Sequence, residues 1–198
     1  MPENSALQQR TRSVRSLAQL VREDWITHGR SWSAPGLQAL VVHRLGAWAR
    51  LQDPPKRLVL TLAYRLLFPL IRAAYGVELP AAATLGRRLY LPHPIGTIIS
   101  GEARIGDDCW IRQGVTIGRF NRGRPRQPPY APTIGNGVEI GAGAVMIGGI
   151  TIGDGARIGP NAVVMSDVPA GASAFAAPAK IVSLRRDQVE PVESEAQG

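Results

Sequence analysis

A chain of 198 residues, 44% of them hydrophobic, is long enough to bury a real core and favours one main domain with an appendage. Its formal net charge of +8 and isoelectric point of about 10.7 suit anionic partners: phosphorylated cofactors, acidic polysaccharide, lipid headgroups or nucleic acid. The arginines are scattered, however, and no interleaving of arginine with aromatic residues marks a nucleic-acid surface. The single cysteine, Cys109, excludes an internal disulfide framework and a cysteine-rich zinc site, and it fits a reducing compartment.

The start, MPENSALQQRTRSVRS, is polar and lacks the apolar core of a signal peptide. Residues 1–76 read as helical: SVRSLAQLVREDWITHG and GLQALVVHRLGAWARL carry apolar residues at three- and four-residue spacing. QDPPK (52–56) breaks the pattern, and RLVLTLAYRLLFPLIRAAYG resumes it as far as Gly76, which reads as a helix stop. Pro69 is expected to end or kink this last helix. The most apolar run, residues 58–71, is too short to span a bilayer and contains Arg65 and Pro69, which argues against a transmembrane helix. His28 and His43, in the same zone, read as structural or surface histidines. Two roles stay open for the zone: packing on the rest of the chain and joining subunits, or lying in a membrane interface with its arginines toward headgroups.

From Val77 the texture changes. Glycine becomes frequent and a period of six takes over. Ile99, Ile105, Ile111 and Ile117 are in step, as are Ile134, Ile140, Met146, Ile152, Ile158 and Val164. Two residues before such positions stand small-to-medium apolar ones: Ala103, Cys109, Val115, Val138, Ala144, Ile150, Ala156 and Ala162. This is neither a helical nor an alternating pattern. It is the mark of a parallel β-helix, in which each hexapeptide makes one short strand and one turn, and three close a triangular coil. Stacked coils lie about 4.8 Å apart, each pairing its backbone with the next. Cys109, at a small interior position, reads as an inert core thiol.

The period breaks twice. Leu79, Leu85 and Leu91 are in step, but Leu91 to Ile99 spans eight residues, which puts His93 in a local bulge. Between Ile117 and Ile134, GRFNRGRPRQPPYAPT cannot enter an apolar prism and is expected to project as a loop. The polar, acidic end DQVEPVESEAQG reads as a disordered tail. The expected divisions are a helical region (1–76), a β-helix domain (77–183) and the tail (184–198).

ELPAAATLGRR, IRQGVTIG, TIGNGVEIGAGAVMIGGITIGDGARIG and VPAGASAFAAPAKIV together resemble the serine acetyltransferase branch of the hexapeptide-repeat acyltransferases. Within it the chain is most similar to the colanic acid and exopolysaccharide acetyltransferases. The resemblance covers residues 77–183 and extends weakly into DWITHGRSWSAPGLQALVVHRLG. It implies a mainly β fold, a left-handed parallel β-helix with an N-terminal α-helical region and a projecting loop. It also implies an acetyl-CoA-dependent enzyme without a metal, assembled as a homotrimer or a dimer of trimers and cytoplasmic, at the inner face of the membrane if the helical zone binds lipid. Nucleic acid is not an expected partner.

By the same resemblance, His93 is the general base on the acceptor hydroxyl and Glu78, fifteen residues earlier, is its carboxylate partner, where serine acetyltransferases usually have aspartate. A carboxylate at this place fixes the imidazole tautomer and stabilises the imidazolium. Gln113, Gly118, Ala142 and Pro160 match positions lining the pantetheine groove between neighbouring prisms. Arg119 stands at the mouth of the loop, and Lys180 near the nucleotide end. At the acceptor end the chain departs from the branch: Pro92 replaces the usual aspartate before the histidine, and Tyr130 and Ala131 replace an arginine and a histidine. A pocket for zwitterionic serine needs those charges. The favoured reading is therefore sugar O-acetylation in exopolysaccharide or capsule assembly. The alternatives are a serine O-acetyltransferase, acting in cysteine biosynthesis or on a serine-like metabolite, and a noncatalytic β-helix scaffold subunit.

Overall fold

The computed structural model describes residues 14–119 and 130–180. The acidic tail, and the part of the projecting loop rich in arginine and proline, lie outside these residues. Among the described residues three helices precede the repeats: α1 (Val14–Thr27), α2 (Pro35–Ala49) and α3 (Pro54–Tyr75). The PPK break becomes the start of α3, because proline at the first helical positions sacrifices only N–H groups that would have no intrahelical partner. Pro69 does not end α3, which runs six residues further to Tyr75. Both Pro69 and Arg65, whose carbonyl loses its donor, are exposed. Gly76 is the stop: its φ of 59° is the left-handed conformation that a helix C-cap uses, and its N–H bonds the Arg72 carbonyl at 2.9 Å. At 22 residues α3 is, by length and composition, long and apolar enough to cross a bilayer, more than the 58–71 run alone suggests.

The repeats wind into a three-faced prism of parallel strands. One face stacks β1 (Thr84–Leu85), β3 (Arg104–Ile105), β6 (Thr133–Ile134) and β9 (Thr151–Ile152). A second stacks β4 (Trp110–Ile111), β7 (Glu139–Ile140), β10 (Arg157–Ile158) and β12 (Ser173–Ala174). The third stacks β2 (Ile98–Ile99), β5 (Thr116–Gly118), β8 (Val145–Ile147) and β11 (Val163–Val164). Isolated bridges complete each face: Glu78 pairs with Ile98, Tyr90 with Trp110 and Val168 with Ile152. In almost every strand one residue faces outward and the next, usually isoleucine, points into the prism. The predicted period is the core itself, with Ile111, Ile117, Met146, Ile152 and the smaller Cys109, Val115, Ala144 and Ala156 all fully buried.

The two breaks in the period reappear as register. Ile98 pairs with Thr116, the regular step of 18 residues, whereas Glu78 pairs with Ile98, a step of 20. Thr116 pairs with Val145, a step of 29 that takes in the second break.

The helices cover the exposed end of the first coil, where strands would otherwise present unpaired backbone. Arg44 on α2 donates to the carbonyls of Leu85 at 2.7 Å and Gly86 at 2.5 Å, while its Nε holds Asp24 of α1 at 3.0 Å. His43 Nε2 donates to the Ala83 carbonyl at 3.2 Å, and the Ala81 N–H donates to the Tyr64 hydroxyl of α3 at 3.0 Å. Both histidines of the helical zone are buried, as structural residues.

Candidate active site

Two prolines build the bulge that presents His93. Leu91 and His93 each precede a proline, which keeps them out of the helical region. A turn follows in which the Thr97 N–H bonds the Pro94 carbonyl at 3.0 Å, with Gly96 at φ 71°, the conformation a type II turn needs at its third position. Pro94 and Thr97 are buried and anchor the turn, while His93 and Ile95 stand out in solvent.

Below this turn the chain descends one edge of the prism. Gly114 N–H donates to the Ile95 carbonyl, Gly143 N–H to the Gln113 carbonyl and Asn161 N–H to the Ala142 carbonyl, each at 2.9 Å. His93, Gln113, Ala142 and Pro160 thus follow one another down a single edge. With coils about 4.8 Å apart the column is roughly 14 Å long. Phe175 lies against Gly159 at its lower end, so close that a Cβ on Gly159 would come within 2.3 Å of the ring. Lys180, five residues beyond Phe175, is exposed.

Gly118, Arg119 and Tyr130, which flank residues 120–129, occupy a different edge. Arg119 donates to Glu102 at 2.9 Å, and its guanidinium lies 5.5 Å from the centre of the Tyr130 ring. The two edges border the same face, that of β2, β5, β8 and β11. Glu78 sits at the top of this face, beside Ile98, half-buried. Among the described residues no hydrogen bond or ion pair joins Glu78 to His93. Ala131 requires a correction: it packs inside the prism at 1% exposure, so its methyl group cannot touch an acceptor. It follows the loop at a point where the chain has already re-entered the core ahead of Ile134.

Two features escaped the sequence reading. The outward residues of this face are Ile98, Thr116, Val145 and Val163, three of them apolar, against Thr84, Arg104, Thr133 and Thr151 on the β1 face. Counting outward positions in steps of one coil would have revealed the stripe. The bulge is also clamped from behind: the Leu91 N–H bonds His28 Nε2 at 3.2 Å, and Gly36 at the start of α2 lies against the Leu91 carbonyl. Cys109 is a core thiol, as expected: it is fully buried, burial first of all pushes its thiol up to about 11, and its sulfur lies 3.1 Å from the Gly135 carbonyl. Among the described residues no group of three or more His, Cys, Asp or Glu side chains is placed to hold a metal ion.

A hexapeptide prism of three parallel faces, with a histidine bulge at one edge and N-terminal helices over its first coil, is the left-handed β-helix of the hexapeptide-repeat transferases. Residues 131–165 match the family model described as bacterial transferase hexapeptide (six repeats). The chain is 36% identical over 139 residues to the serine acetyltransferase of Helicobacter pylori (strain ATCC 700392 / 26695), covering 68% of this chain and 75% of that one. It belongs to the serine acetyltransferase-like branch of that family. It is also 39% identical over 116 residues to the serine acetyltransferase of Synechococcus elongatus, and 42% identical over 92 residues to the Escherichia coli K12 protein named "Putative colanic acid biosynthesis acetyltransferase WcaB". The chain spans only about half the length of these two relatives, 44% and 52% respectively, while the matches cover 59% and 46% of this chain. Among solved structures, Neisseria gonorrhoeae serine acetyltransferase (CysE) superposes with a TM-score of 0.70 at 30% identity, covering 87% of this chain and 70% of that one.

Proposed function

We propose that this protein is an acetyl-CoA-dependent O-acetyltransferase whose acceptor is a sugar hydroxyl, in exopolysaccharide or capsule assembly. The observation that carries the reading is the edge on which the His93 bulge stands above Gln113, Ala142 and Pro160, bordering an apolar face. A thioester is already activated, so the chemistry asks for a base, alignment and oxyanion stabilisation. His93 takes the proton of the acceptor hydroxyl as its oxygen attacks the thioester carbonyl. The tetrahedral intermediate collapses, breaking the carbon–sulfur bond, and the imidazolium returns its proton to the departing thiolate. Glu78 steadies the imidazolium. Coenzyme A runs down the edge, with Lys180 toward its phosphates.

The apolar outward stripe supports a homotrimer in which the β2, β5, β8 and β11 face of one prism meets its neighbour, bringing the loop edge of one copy (Gly118, Arg119, Tyr130) toward the histidine edge of another. Acetyl-CoA supply suits a cytoplasmic enzyme. For the acceptor, Pro92 and Tyr130 offer no charge to an ammonium or a carboxylate, whose desolvation without a partner is costly. Tyr130, flanked by Arg119, suits a sugar ring instead. Serine is the second reading, favoured by the names of the relatives and by the Neisseria gonorrhoeae structure in complex with serine, which superposes with a TM-score of 0.68. Release of free thiol from acetyl-CoA, measured with L-serine, serine analogues and nucleotide- or lipid-linked sugars, tests it. Turnover with L-serine at a kcat/KM of about 10⁴ M⁻¹s⁻¹ or more, and none with sugars, reverses the ranking. No turnover with any acceptor leaves the scaffold reading.

A further inference from the structure

We propose that α3 docks on an anionic lipid surface, lying in the plane of the bilayer interface with its outer ridge inserted. The helix is amphipathic in an unusual sense: its apolar side is turned away from the protein. Leu58, Leu62, Leu66 and Leu70 recur every fourth residue along that side, exposed by 73%, 58%, 62% and 64%, with Val59 beside them at 68%. The inner side is already used. Tyr64 and Phe68 lie tilted against each other with ring centres 5.3 Å apart, Tyr64 accepts from the Ala81 N–H, and Tyr75 donates to Gln38 of α2 at 2.6 Å. Lipid therefore cannot surround α3. Crossing the bilayer would carry α2 and the first coil, to which this inner side is bonded, into the hydrocarbon, whereas lying in the interface buries only the outer ridge.

The charges choose the occupant. Arg65 and Arg72 flank the ridge on one side, and Lys56 and Arg57 stand at the helix start. Lys56, Arg57, Arg65 and Arg72 are exposed, and α3 contains no acidic residue. Among the described residues none of these cations makes an ion pair. A second copy seated ridge to ridge would bring like charges together with no carboxylate on either helix to pair them. An anionic bilayer supplies both what the ridge and the flank lack: an apolar phase and negative headgroups one Debye length away or less. The docked helix also leads straight to the edge described above, since Gly76 at its end lies against Gly96, where a Cβ would be 3.6 Å from the Gly96 nitrogen. That is three residues past His93, so an acceptor held in the membrane would be presented beside the bulge.

Docking is read without any acetyl transfer, so its failure and that of the proposed activity are distinguishable. The test is flotation of the full chain with vesicles of phosphatidylcholine alone and of phosphatidylcholine mixed with phosphatidylglycerol. The chain should float with the mixed vesicles, and less with phosphatidylcholine alone or at high salt. Leu62→Gln combined with Leu66→Gln should weaken binding on the order of tenfold or more, as should Arg65→Gln combined with Arg72→Gln. These side chains are exposed, and circular dichroism checks that each variant is folded. Leu58→Gln with Leu70→Gln is a second ridge pair should the first fail to fold. Wild-type protein that stays unbound, or ridge variants that float like wild type, overturns the proposal. So does an assembly whose mass by light scattering halves in the ridge variants without vesicle binding, which would mean that a second copy covers the ridge.

Discussion

The Leu91 backbone N–H donates to His28 Nε2 at 3.2 Å, and the opposite nitrogen, Nδ1, donates to the Asp24 carbonyl at 2.7 Å. A carbonyl only accepts, so this pair of bonds specifies the Nδ1–H tautomer of His28, with Nε2 free to receive Leu91. The turn that follows α1 thereby grips the residue two positions before His93. The grip is tightened by Gly36, where an added Cβ would stand 2.0 Å from the Leu91 carbonyl oxygen.

His28→Ala would leave the buried Leu91 N–H without an acceptor, at about 1–3 kcal/mol. Gly36→Ala would push the bulge outward. Both variants should unfold at lower denaturant and lose kcat while retaining coenzyme A binding, because the Gln113 to Pro160 column lies in the coils below. Unchanged kcat in a folded Gly36→Ala variant would show that the clamp does not position the bulge.

His93→Ala should lower kcat on the order of 10²-fold or more with coenzyme A still bound, as expected of a lost general base. Glu78→Gln should cost less, since the amide keeps the shape but not the charge that supports the imidazolium. Steady-state kinetics beside a coenzyme A binding titration check both, and near-normal turnover in the His93 variant removes the assignment.

Much of this was legible in the chain because hexapeptides are local. The period set out the core, and the gaps from Leu91 to Ile99 and from Ile117 to Ile134 became the two irregular registers. What periodicity cannot show is which edge a turn belongs to. Gln113 and Gly118 are five residues apart in sequence yet stand on different edges, because one strand of the prism lies between them. Ala131 was misplaced for a related reason: inside an interrupted repeat, the point where the chain re-enters the core has no spacing to mark it. In α3 the three- and four-residue spacing identified a helix, but an apolar side facing solvent has the same spacing as one facing a core.

His43 makes stability depend on pH in a definite direction. Burial above all, and then the neighbouring Arg44 charge, lower its pKa from 6.5 to about 3. The folded protein therefore keeps His43 neutral where the unfolded chain takes up a proton. Its contribution is fully present above about pH 6.5 and is lost as the pH falls toward 3, at up to about 1.4 kcal/mol per pH unit. His43→Gln retains a donor for the Ala83 carbonyl but does not titrate. The advantage of wild type over this variant, measured by denaturant unfolding, should shrink between pH 7 and pH 5. A difference that stays constant would contradict the buried neutral imidazole.

Cys109 is fully buried and its thiol is pushed up to about 11, so little thiolate exists near neutral pH and no reagent can reach it. A chromogenic disulfide should leave the native protein untouched and label it once guanidinium unfolds it. Rapid stoichiometric labelling of the native chain would mean that the prism opens at this coil.

Val145 and Val163 point outward from the face that separates the histidine edge from the loop edge, Val163 at 67% exposure. Within one chain a glutamate at either position meets water and costs the fold little. Across a prism–prism interface it is a charge buried without a partner, which several apolar contacts cannot offset. Val145→Glu and Val163→Glu should therefore leave circular dichroism unchanged while the mass by light scattering falls from three chains to one. If the loop edge of a neighbour completes the groove, activity falls with the mass, and KM for acetyl-CoA rises before kcat is lost. Ser173→Glu, on the β4 face and exposed, is the matched control and should alter neither mass nor activity. A Val163→Glu protein that is monomeric and fully active would separate the assembly from the site and place the whole reaction within a single prism.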